Sequence, residues 1–273
     1  MDLTDSRIAA LYDIDNPGGA DHDYYRRLTA RLDSHRIIDL GCGTGLLTVT
    51  LAGPSRTVIG IDPDEAMLTV ARNREGGERV AWVIGDSGNI GDARADLILM
   101  TGNVAQHVVP ADWQRTLTDI AEGLRPGGLM SFESRNPTVG AWRTWTREQT
   151  WGTRTTPSGR LTEWIETTEP DEHGTIVLTA HNVWEDTNED LVVTQPLTFR
   201  DLDQVSTDLA AAGLSMQRVM GGWQDEPFTE KSAVMVVEAC LTLEPRSRDG
   251  AAALSEARCA IGTLAQRAGR RLG

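Results

Sequence analysis

The chain has 273 residues, of which 40% are hydrophobic and 24% are charged, and a formal net charge of −14. These values are typical of a globular protein and exclude collagen-like and wholly disordered chains. The acidic balance disfavours nucleic acid as a partner, because nucleic acids are bound through basic surfaces that neutralise phosphates. The sequence contains no apolar run of about 18 residues, and its acidic start does not resemble a signal peptide. We therefore expect a cytoplasmic protein that has no membrane partner.

The cysteines Cys42, Cys240 and Cys259 are odd in number and share no spacing typical of metal ligands. This pattern disfavours a disulfide scaffold and a structural zinc site, and it fits a reducing compartment. We predict no metal site.

Short apolar runs alternate with helical segments from residue 36 onwards. After a helix over 21–32, the predicted strands and helices, in chain order, are 36–40, 46–52 (helix), 57–61, 63–74 (helix), 80–84, 96–100, 112–124 (helix) and 129–133. Strands that alternate with helices of this length indicate βαβ units, which predicts an α/β fold with a doubly wound, mostly parallel sheet.

Residues 135–200 differ from the preceding part, since they hold five of the eight tryptophans and many threonines. Three β-rich runs, over 161–168, 175–184 and 191–200, predict an antiparallel β insertion. A helix over 201–212 and strands over 214–220 and 233–243 follow, and they bring the predicted sheet to seven strands.

Residues 246–273 are rich in arginine and alanine, and their apolar residues fall on one helical face. Such a helix either packs on its own protein or forms a homodimer contact, and the sequence leaves both open.

The sequence Asp39-Leu40-Gly41-Cys42-Gly43-Thr44-Gly45 connects a predicted strand to a predicted helix. Glycines allow a tight turn and bring backbone N–H groups against a ligand. The spacing differs from the G-x-G-x-x-G pattern of NAD-binding proteins, because the third glycine comes one residue early. Asp39, two residues before the first glycine, favours a positively charged ligand over a pyrophosphate.

Two further acidic positions follow the second and third predicted strands. Asp62, before Pro63, stands where doubly wound folds place the acid that binds ribose hydroxyls. The alternatives are that it serves both this role and that of N-cap for the helix beginning at Pro63, or that it is a cap alone. Asp86 and Ser87 follow the third strand, where a carboxylate and the next N–H group can bind an adenine.

These motifs, together with Arg125-Pro126-Gly127-Gly128 before the fifth strand, resemble the core of class I S-adenosylmethionine (SAM)-dependent methyltransferases, of the bacterial small-molecule type. The resemblance covers residues 36–133 and implies SAM as the cofactor. It also implies the roles of ten positions in binding SAM, which are Asp39, Gly41, Cys42, Gly43, Asp62, Pro63, Asp86, Ser87, Met100 and Thr101. Met67 either packs on the adenine or belongs to the core.

The resemblance further implies a methyltransferase domain over residues 1–245. Within that domain, an N-terminal cap (1–35) and the β-rich insertion (135–200) cover the substrate.

The candidate acceptor site follows the fourth and fifth strands. His107 is the candidate general base or a structural histidine, since histidine titrates near neutral pH. Five residues are candidates for contact with the substrate, namely Tyr12, Tyr25, Asn103, Gln106 and Arg135. The tyrosines either close over the cofactor or pack in the core, and Arg135 pairs either with a substrate carboxylate or with a surface acid.

The leading hypothesis is transfer of a methyl group from SAM to a small molecule by in-line displacement. The alternatives are methylation of a protein side chain, a SAM-binding scaffold without turnover, and a nicotinamide oxidoreductase. Acceptor identity and the methylated element stay open.

Overall fold

The computed structural model describes residues 6–242, in which a seven-stranded sheet forms the centre. Its strands are β1 (Arg36–Leu40), β2 (Thr57–Asp62), β3 (Val80–Ile84), β4 (Ala95–Met100), β5 (Leu124–Arg135), β10 (Leu214–Met220) and β11 (Val234–Leu241). The order across the sheet is β10-β11-β5-β4-β1-β2-β3. Neighbours from β5 to β3 pair in parallel, whereas β11 is antiparallel to both β5 and β10. The predicted fold class is confirmed.

Helices cover the sheet where the alternation predicted them. The helices are α1 (Ser6–Asp15), α2 (Ala20–Arg31), α3 (Thr48–Leu51), α4 (Glu65–Asn73), α5 (Val104–His107), α6 (Pro110–Gly123), α7 (Arg147–Thr150) and α8 (Leu202–Ala211). Apolar residues of α6 and α8, such as Leu117 and Leu209, pack against the sheet residues Ile98 and Phe132 in one core. The predicted helix over 46–52 is shorter than expected, because the preceding turn extends into it.

An antiparallel sheet of four strands, the insertion sheet, lies between β5 and α8 in the chain. Its strands are β6 (Gly152–Thr156), β7 (Gly159–Thr167), β8 (Thr175–Trp184) and β9 (Glu189–Thr198). The β-rich runs predicted only three of them. β6 was missed because its sequence, Gly-Thr-Arg-Thr-Thr, has no apolar residue to alternate. Helix α1 and the short helices α5 and α7 were also not predicted.

Helix α1 is attached to both the core and the insertion sheet. Asp13 accepts hydrogen bonds from the Thr44 hydroxyl (2.5 Å) and from Arg74, which follows α4. Asp15 pairs with Arg154 of β6, with 2.8 Å between Nη2 and Oδ2. The helix is therefore held over the glycine turn between β1 and α3, at the edge where the parallel strands end.

No helix within residues 6–242 has the length and apolar character needed to cross a membrane. The helix and homodimer contact predicted for 246–273 lie outside the described residues.

The substitution Gly45→Ala should destabilise the fold. Gly45 has φ of +72°, and a Cβ there would lie 2.5 Å from Cη2 of Trp82 and 3.1 Å from Cβ of Ala71. The Trp82 ring cannot move freely, since its Nε1 donates to the carbonyl of Gly77 at 2.8 Å. We expect a loss of about 2–4 kcal/mol in the free energy of unfolding, measured by urea titration.

Gly53→Ala is the matched control, because a Cβ at Gly53 would meet no atom within 4 Å. Equal stability of the two variants would contradict the close packing proposed for Gly45.

Candidate active site

A cavity of about 400 Å³, called the main cavity below, opens at the carboxyl ends of β1–β4. Doubly wound sheets bind ligands at this edge. The three segments that the motifs singled out meet here, since Gly41 and Gly43, Asp62 and Pro63, and Asp86 and Ser87 all line the cavity. Their meeting places the predicted cofactor motifs around one space.

The glycine turn brings its backbone, but not its N–H groups, to the cavity. Gly41 and Gly43 have φ of +76° and +54°, which glycine adopts without strain. The N–H groups of Gly41 and Cys42 donate to the carbonyl of Ile61, at 2.7 and 3.1 Å, and that of Gly43 donates to Oδ2 of Asp62 at 2.8 Å. The expectation that these N–H groups face a ligand is therefore wrong, because protein acceptors already occupy all three.

Asp39 lies beneath this turn and is only 1% exposed. Its Oδ2 accepts from the Thr48 hydroxyl at 2.7 Å, whereas its Oδ1 has no hydrogen-bond partner within the described residues. Burial raises the pKa of Asp39 to about 6. A buried carboxylate oxygen without a partner is costly, and a donor or a positive charge on a ligand would reduce that cost.

Asp62 presents its carboxylate to the main cavity and does not cap α4. Its Oδ1 accepts from the N–H of Asp64 at 2.9 Å, and it is Asp64 that caps the helix by accepting from Ala66 and Met67. Burial raises the pKa of Asp62, and the bonds from Asp64 and Gly43 act against this rise. Since another residue caps α4, the carboxylate can still accept hydrogen bonds from a ligand diol.

Asp86 and Ser87 begin a short turn after β3 at the far side of the cavity. Asp86 accepts from the N–H of Gly88 at 2.9 Å and from Arg115 of α6 at 2.9 Å. The bond from Arg115 holds the pKa of Asp86 below its usual range. Ser87 donates to Asp119 at 2.6 Å, so its hydroxyl is fixed by the protein.

Four residues predicted to bind the cofactor do not line the main cavity, and one of them is Asp39, described above. Cys42 and Met100 are buried, and the thiol of Cys42 packs against Gly60 of β2. Thr101 is half-buried, and it is the following residue, Gly102 with φ of +70°, that reaches the cavity.

Tyr12 of α1 lies over the glycine turn and lines the cavity. A Cβ built on Gly43 would lie 3.8 Å from the Tyr12 ring, and one on Gly102 would lie 3.9 Å from its hydroxyl. Burial raises the pKa of the Tyr12 hydroxyl, so it stays protonated at neutral pH. Met67 of α4 and Gln195 of β9 also line the cavity, and Gln195 was not predicted.

His107 lies at the end of α5 and lines the same cavity. Burial, with a smaller effect of the Arg135 charge, lowers its pKa to about 4. The expectation that it titrates near neutrality is therefore wrong. At pH 7 the ring is neutral, and one of its nitrogens is available to accept a hydrogen bond.

A buried carboxylate that the sequence did not reveal holds the loop after β4. Glu133 of β5 accepts from the N–H of Asn103 at 2.6 Å and from the hydroxyl of Tyr25. Asn103 has φ of +62°, and burial raises the pKa of Glu133 to about 7. Tyr25 is completely buried and does not reach the main cavity, so it contributes to the site only through Glu133. A carboxylate inside a strand gives no motif, which is why it was missed.

Gln106 and Arg135 form a pair beside His107. Nη1 of Arg135 donates to Oε1 of Gln106 at 2.8 Å, and its guanidinium lies 5.1 Å from the ring centroid of Trp145. Gln106 is 1% exposed, and its Nε2 has no hydrogen-bond partner within the described part of the chain. Arg135 makes no ion pair there, contrary to the surface pair that the sequence left open.

The cavity fits the parts of SAM that the resemblance implied. A Cβ on Gly43 would point into the open space below Tyr12, so a ligand can approach the backbone closely there. The carboxylate of Asp62 lines the cavity, that of Asp86 lines it together with its partner Arg115, and the unpartnered Oδ1 of Asp39 lies beneath the glycine turn. Negative charge in and under the cavity suits a cationic ligand with ribose hydroxyls.

Comparison with known proteins agrees with this geometry. Residues 37–128 match a family described as "Methyltransferase domain". Ubiquinone biosynthesis O-methyltransferase of Agrobacterium fabrum is 33% identical over 113 residues, which are 40% of this chain and 44% of that protein. The chain spans less than half the length of the curated relatives that it matches first.

Solved structures are similar over most of the chain. The CcbJ methyltransferase of Streptomyces caelestis has a TM-score of 0.73 at 19% identity, over 87% of this chain and 97% of that one. A SAM-bound amino pentose methyltransferase of Micromonospora echinaspora has a TM-score of 0.61 at 17% identity, over 85% and 95%. At these identities the similarity shows the fold.

Residues 37–128 therefore match a methyltransferase-domain family, and the sheet that contains them has the Rossmann-like fold of SAM-dependent methyltransferases. The resemblance that the motifs predicted is confirmed, with SAM as the cofactor of this class of enzyme.

Glu133→Gln tests the buried carboxylate through the pH dependence of stability. In the unfolded chain this carboxyl loses its proton near pH 4.5, whereas burial lets the folded protein keep it up to about pH 7. The folded state therefore binds more protons in this range, so Glu133 lowers the free energy of unfolding as the pH rises from 4.5 to 7. We expect the stability of the variant relative to the wild type to grow by about 2 kcal/mol between pH 5 and pH 8 in urea titrations.

Glu122→Gln is the control, because Glu122 is exposed on α6. If the free energies of unfolding of wild type and Glu133→Gln changed in parallel with pH, burial would not raise the pKa of Glu133.

Proposed function

We propose that the protein transfers the methyl group of SAM to a small-molecule acceptor. One observation carries this proposal, namely that a single cavity is lined both by the cofactor motifs and by His107, with Tyr12 of α1 and Gln195 of the insertion sheet as further walls. A cavity of about 400 Å³ partly covered by these elements suits a cofactor and a small acceptor better than a protein side chain on a large surface.

Names of similar proteins support the same class of substrate. The relative from Agrobacterium is named an O-methyltransferase of ubiquinone biosynthesis, and the structure from Micromonospora is described as an amino pentose methyltransferase. These names include both oxygen and nitrogen acceptors, so the methylated element stays open.

SAM supplies an electrophilic methyl group on a positively charged sulfur. Asp62 would hold the ribose and Asp86 the adenine, while Asp39 and the Gly41–Gly43 backbone would lie against the amino-acid end. Tyr12 would cover this end and exclude water. Because displacement at a methyl group neutralises charge, correct alignment of the reacting atoms can supply most of the rate.

His107 would accept the proton of the acceptor at a ring nitrogen. With a pKa of about 4 it is neutral over the working range, but it is a weak base. Its main effect would be to orient the nucleophile through a hydrogen bond. Glu133, through Asn103, would fix the loop from which His107 extends.

Two measurements separate this proposal from its alternatives. In calorimetric titration, binding of S-adenosylhomocysteine (SAH) without binding of NAD would reject an oxidoreductase. With methyl-labelled SAM and a bacterial metabolite extract, label in the small-molecule fraction would support the proposal. Label that stays with macromolecules would favour a protein substrate, and SAH binding without any transfer would favour a scaffold.

Asp62→Ala should weaken SAH binding by about 2 kcal/mol, or roughly 30-fold in Kd, because hydrogen bonds from ribose to a carboxylate are lost. Asp62→Asn keeps one acceptor oxygen and should lose less. Asp92→Ala is the control, since Asp92 pairs with Arg94 at the surface. A folded Asp62→Ala protein with the affinity of the wild type would remove Asp62 from the cofactor site.

His107→Ala should lower kcat by about tenfold to a hundredfold at saturating acceptor and leave SAH affinity unchanged. In the wild type, the contribution of His107 should be constant between pH 5 and 9 and fall as the ring becomes protonated near pH 4. The kcat values of wild type and His107→Ala, measured from pH 4 to pH 9, check both the size of the effect and its dependence on pH. A variant with unchanged kcat would show that the histidine is structural.

A further inference from the structure

We propose that the methyl acceptor carries a carboxylate, and that Arg135 and Gln106 bind it beside His107. This inference rests on the proposed function, and it names the class of substrate that the site would select.

The charge of Arg135 is poorly balanced by the protein. Its guanidinium has five N–H donors, and the structure shows one hydrogen bond, to the neutral amide of Gln106. No carboxylate oxygen of residues 6–242 lies within 4.0 Å of it. The charge of Glu133 acts to raise the pKa of Arg135, but both oxygens of that carboxylate already accept bonds from Tyr25 and Asn103.

Other partly buried arginines of this protein have carboxylate or carbonyl partners within the described residues. Arg74 pairs with Asp13, and Arg154 pairs with Asp15 and Glu163. Arg200 donates to the carbonyls of Ala105 and Val108, at 2.9 and 2.8 Å. Arg135 differs from them in having neither a carboxylate nor a backbone carbonyl as a partner within residues 6–242, and desolvation lowers its pKa.

A second donor without a partner lies next to Arg135. Nε2 of Gln106 is buried and unbonded within the described residues, although Oε1 of the same side chain accepts from Arg135. Buried donors are almost always paired, so the unbonded Nε2 of Gln106, next to the remaining donors of Arg135, indicates an acceptor that comes from outside the chain.

Arg135 and Gln106 do not line the main cavity themselves, but Gln106 directly precedes His107, which does. The charge of Arg135 affects the pKa of both Tyr12 and His107, and these two residues line the main cavity. The ring of Trp145, 5.1 Å from the guanidinium, is close enough to help hold it in place. An acceptor in contact with His107 can thus extend an anionic group towards Arg135.

The chemistry favours a carboxylate over a phosphate. A planar guanidinium and an adjacent amide N–H group match the two oxygens of a carboxylate. A phosphate carries up to two charges and would need a second cation, whereas the other basic side chain here, His107, is neutral at pH 7.

The test uses the full chain, methyl-labelled SAM and a bacterial metabolite extract divided into three portions. One portion is untreated, one has its carboxyl groups converted to methylamides with a carbodiimide, and one is treated with phosphatase. We expect amidation to lower the labelled small-molecule product by tenfold or more, and phosphatase to leave it unchanged. Full activity after amidation, or a loss after phosphatase alone, would overturn the proposal.

Variants test the residue itself. Arg135→Gln should lower the rate at limiting extract by about 10- to 100-fold, with a smaller loss for Arg135→Lys, which keeps the charge. Arg143→Gln is the matched control, because Arg143 is an exposed arginine stacked on the neighbouring Trp142. A wild-type rate in Arg135→Gln would overturn the proposal.

Stability and cofactor binding distinguish the remaining explanations. Without acceptor, Arg135→Gln should have a Tm equal to or above that of the wild type, because a buried and unbalanced charge is removed. A Tm lowered by several degrees would mean that Arg135 is structural, and it would overturn the inference. If the wild type binds no SAH, or binds it and labels nothing in the untreated extract, the proposed function itself fails.

Discussion

Negative charge buried at the carboxyl ends of the parallel strands is the constraint on which the site depends. Asp39 and Asp62 end or nearly end two adjacent strands, and Glu133 lies in a third strand of the same sheet. Each is almost excluded from water, and burial raises the pKa of each. The protein offsets part of this cost with hydrogen bonds, from Thr48 to Asp39, from backbone N–H groups to Asp62, and from Tyr25 to Glu133. A cationic ligand would reduce the remaining cost of burying these carboxylates, and this reduction would favour its binding.

The cofactor side of the cavity, at β1–β3, has excess carboxylate. Near α5, outside the residues that line the cavity, Arg135 has no carboxylate partner and Nε2 of Gln106 has no hydrogen-bond partner within residues 6–242. Since the donor molecule is cationic and the proposed acceptor is anionic, this separation would orient both. The carboxylates on the cofactor side would also repel the acceptor's carboxylate from the position of the sulfonium.

Parts of this arrangement followed from the sequence because they are local. Strand and helix periods predicted the order of elements in the sheet domain, and glycine spacing with Asp62 and Asp86 predicted which loops line the cavity. Long-range pairs could not be predicted in this way. Tyr25 and Glu133 are 108 positions apart, and neither belongs to a motif. The neutral state of His107 depends on burial, which only the packing of α5 against its surroundings determines.

Errors in the prediction have physical causes of the same kind. The turn after β1 was expected to offer N–H donors, as in phosphate sites, but β2 lies close enough for its Ile61 carbonyl to accept two of them. The helix after β2 was expected at Pro63, and it starts later because Asp64 is the cap. In the first case the Ile61 carbonyl accepts the hydrogen bonds that the sequence assigned to a ligand. In the second case Asp64 caps the helix in place of Asp62.

The position of α1 affects how molecules exchange with the cavity. This helix carries Tyr12 over the glycine turn, and its acidic residues Asp13 and Asp15 fasten it to Arg74 of the core and Arg154 of the insertion sheet. Helix α1 therefore covers part of the main cavity while it is attached to both the core and the insertion sheet. If SAH leaves and the acceptor enters past α1, both events require the ion pairs Asp13–Arg74 and Asp15–Arg154 to break. The two events would then be linked in time without direct contact between the two molecules.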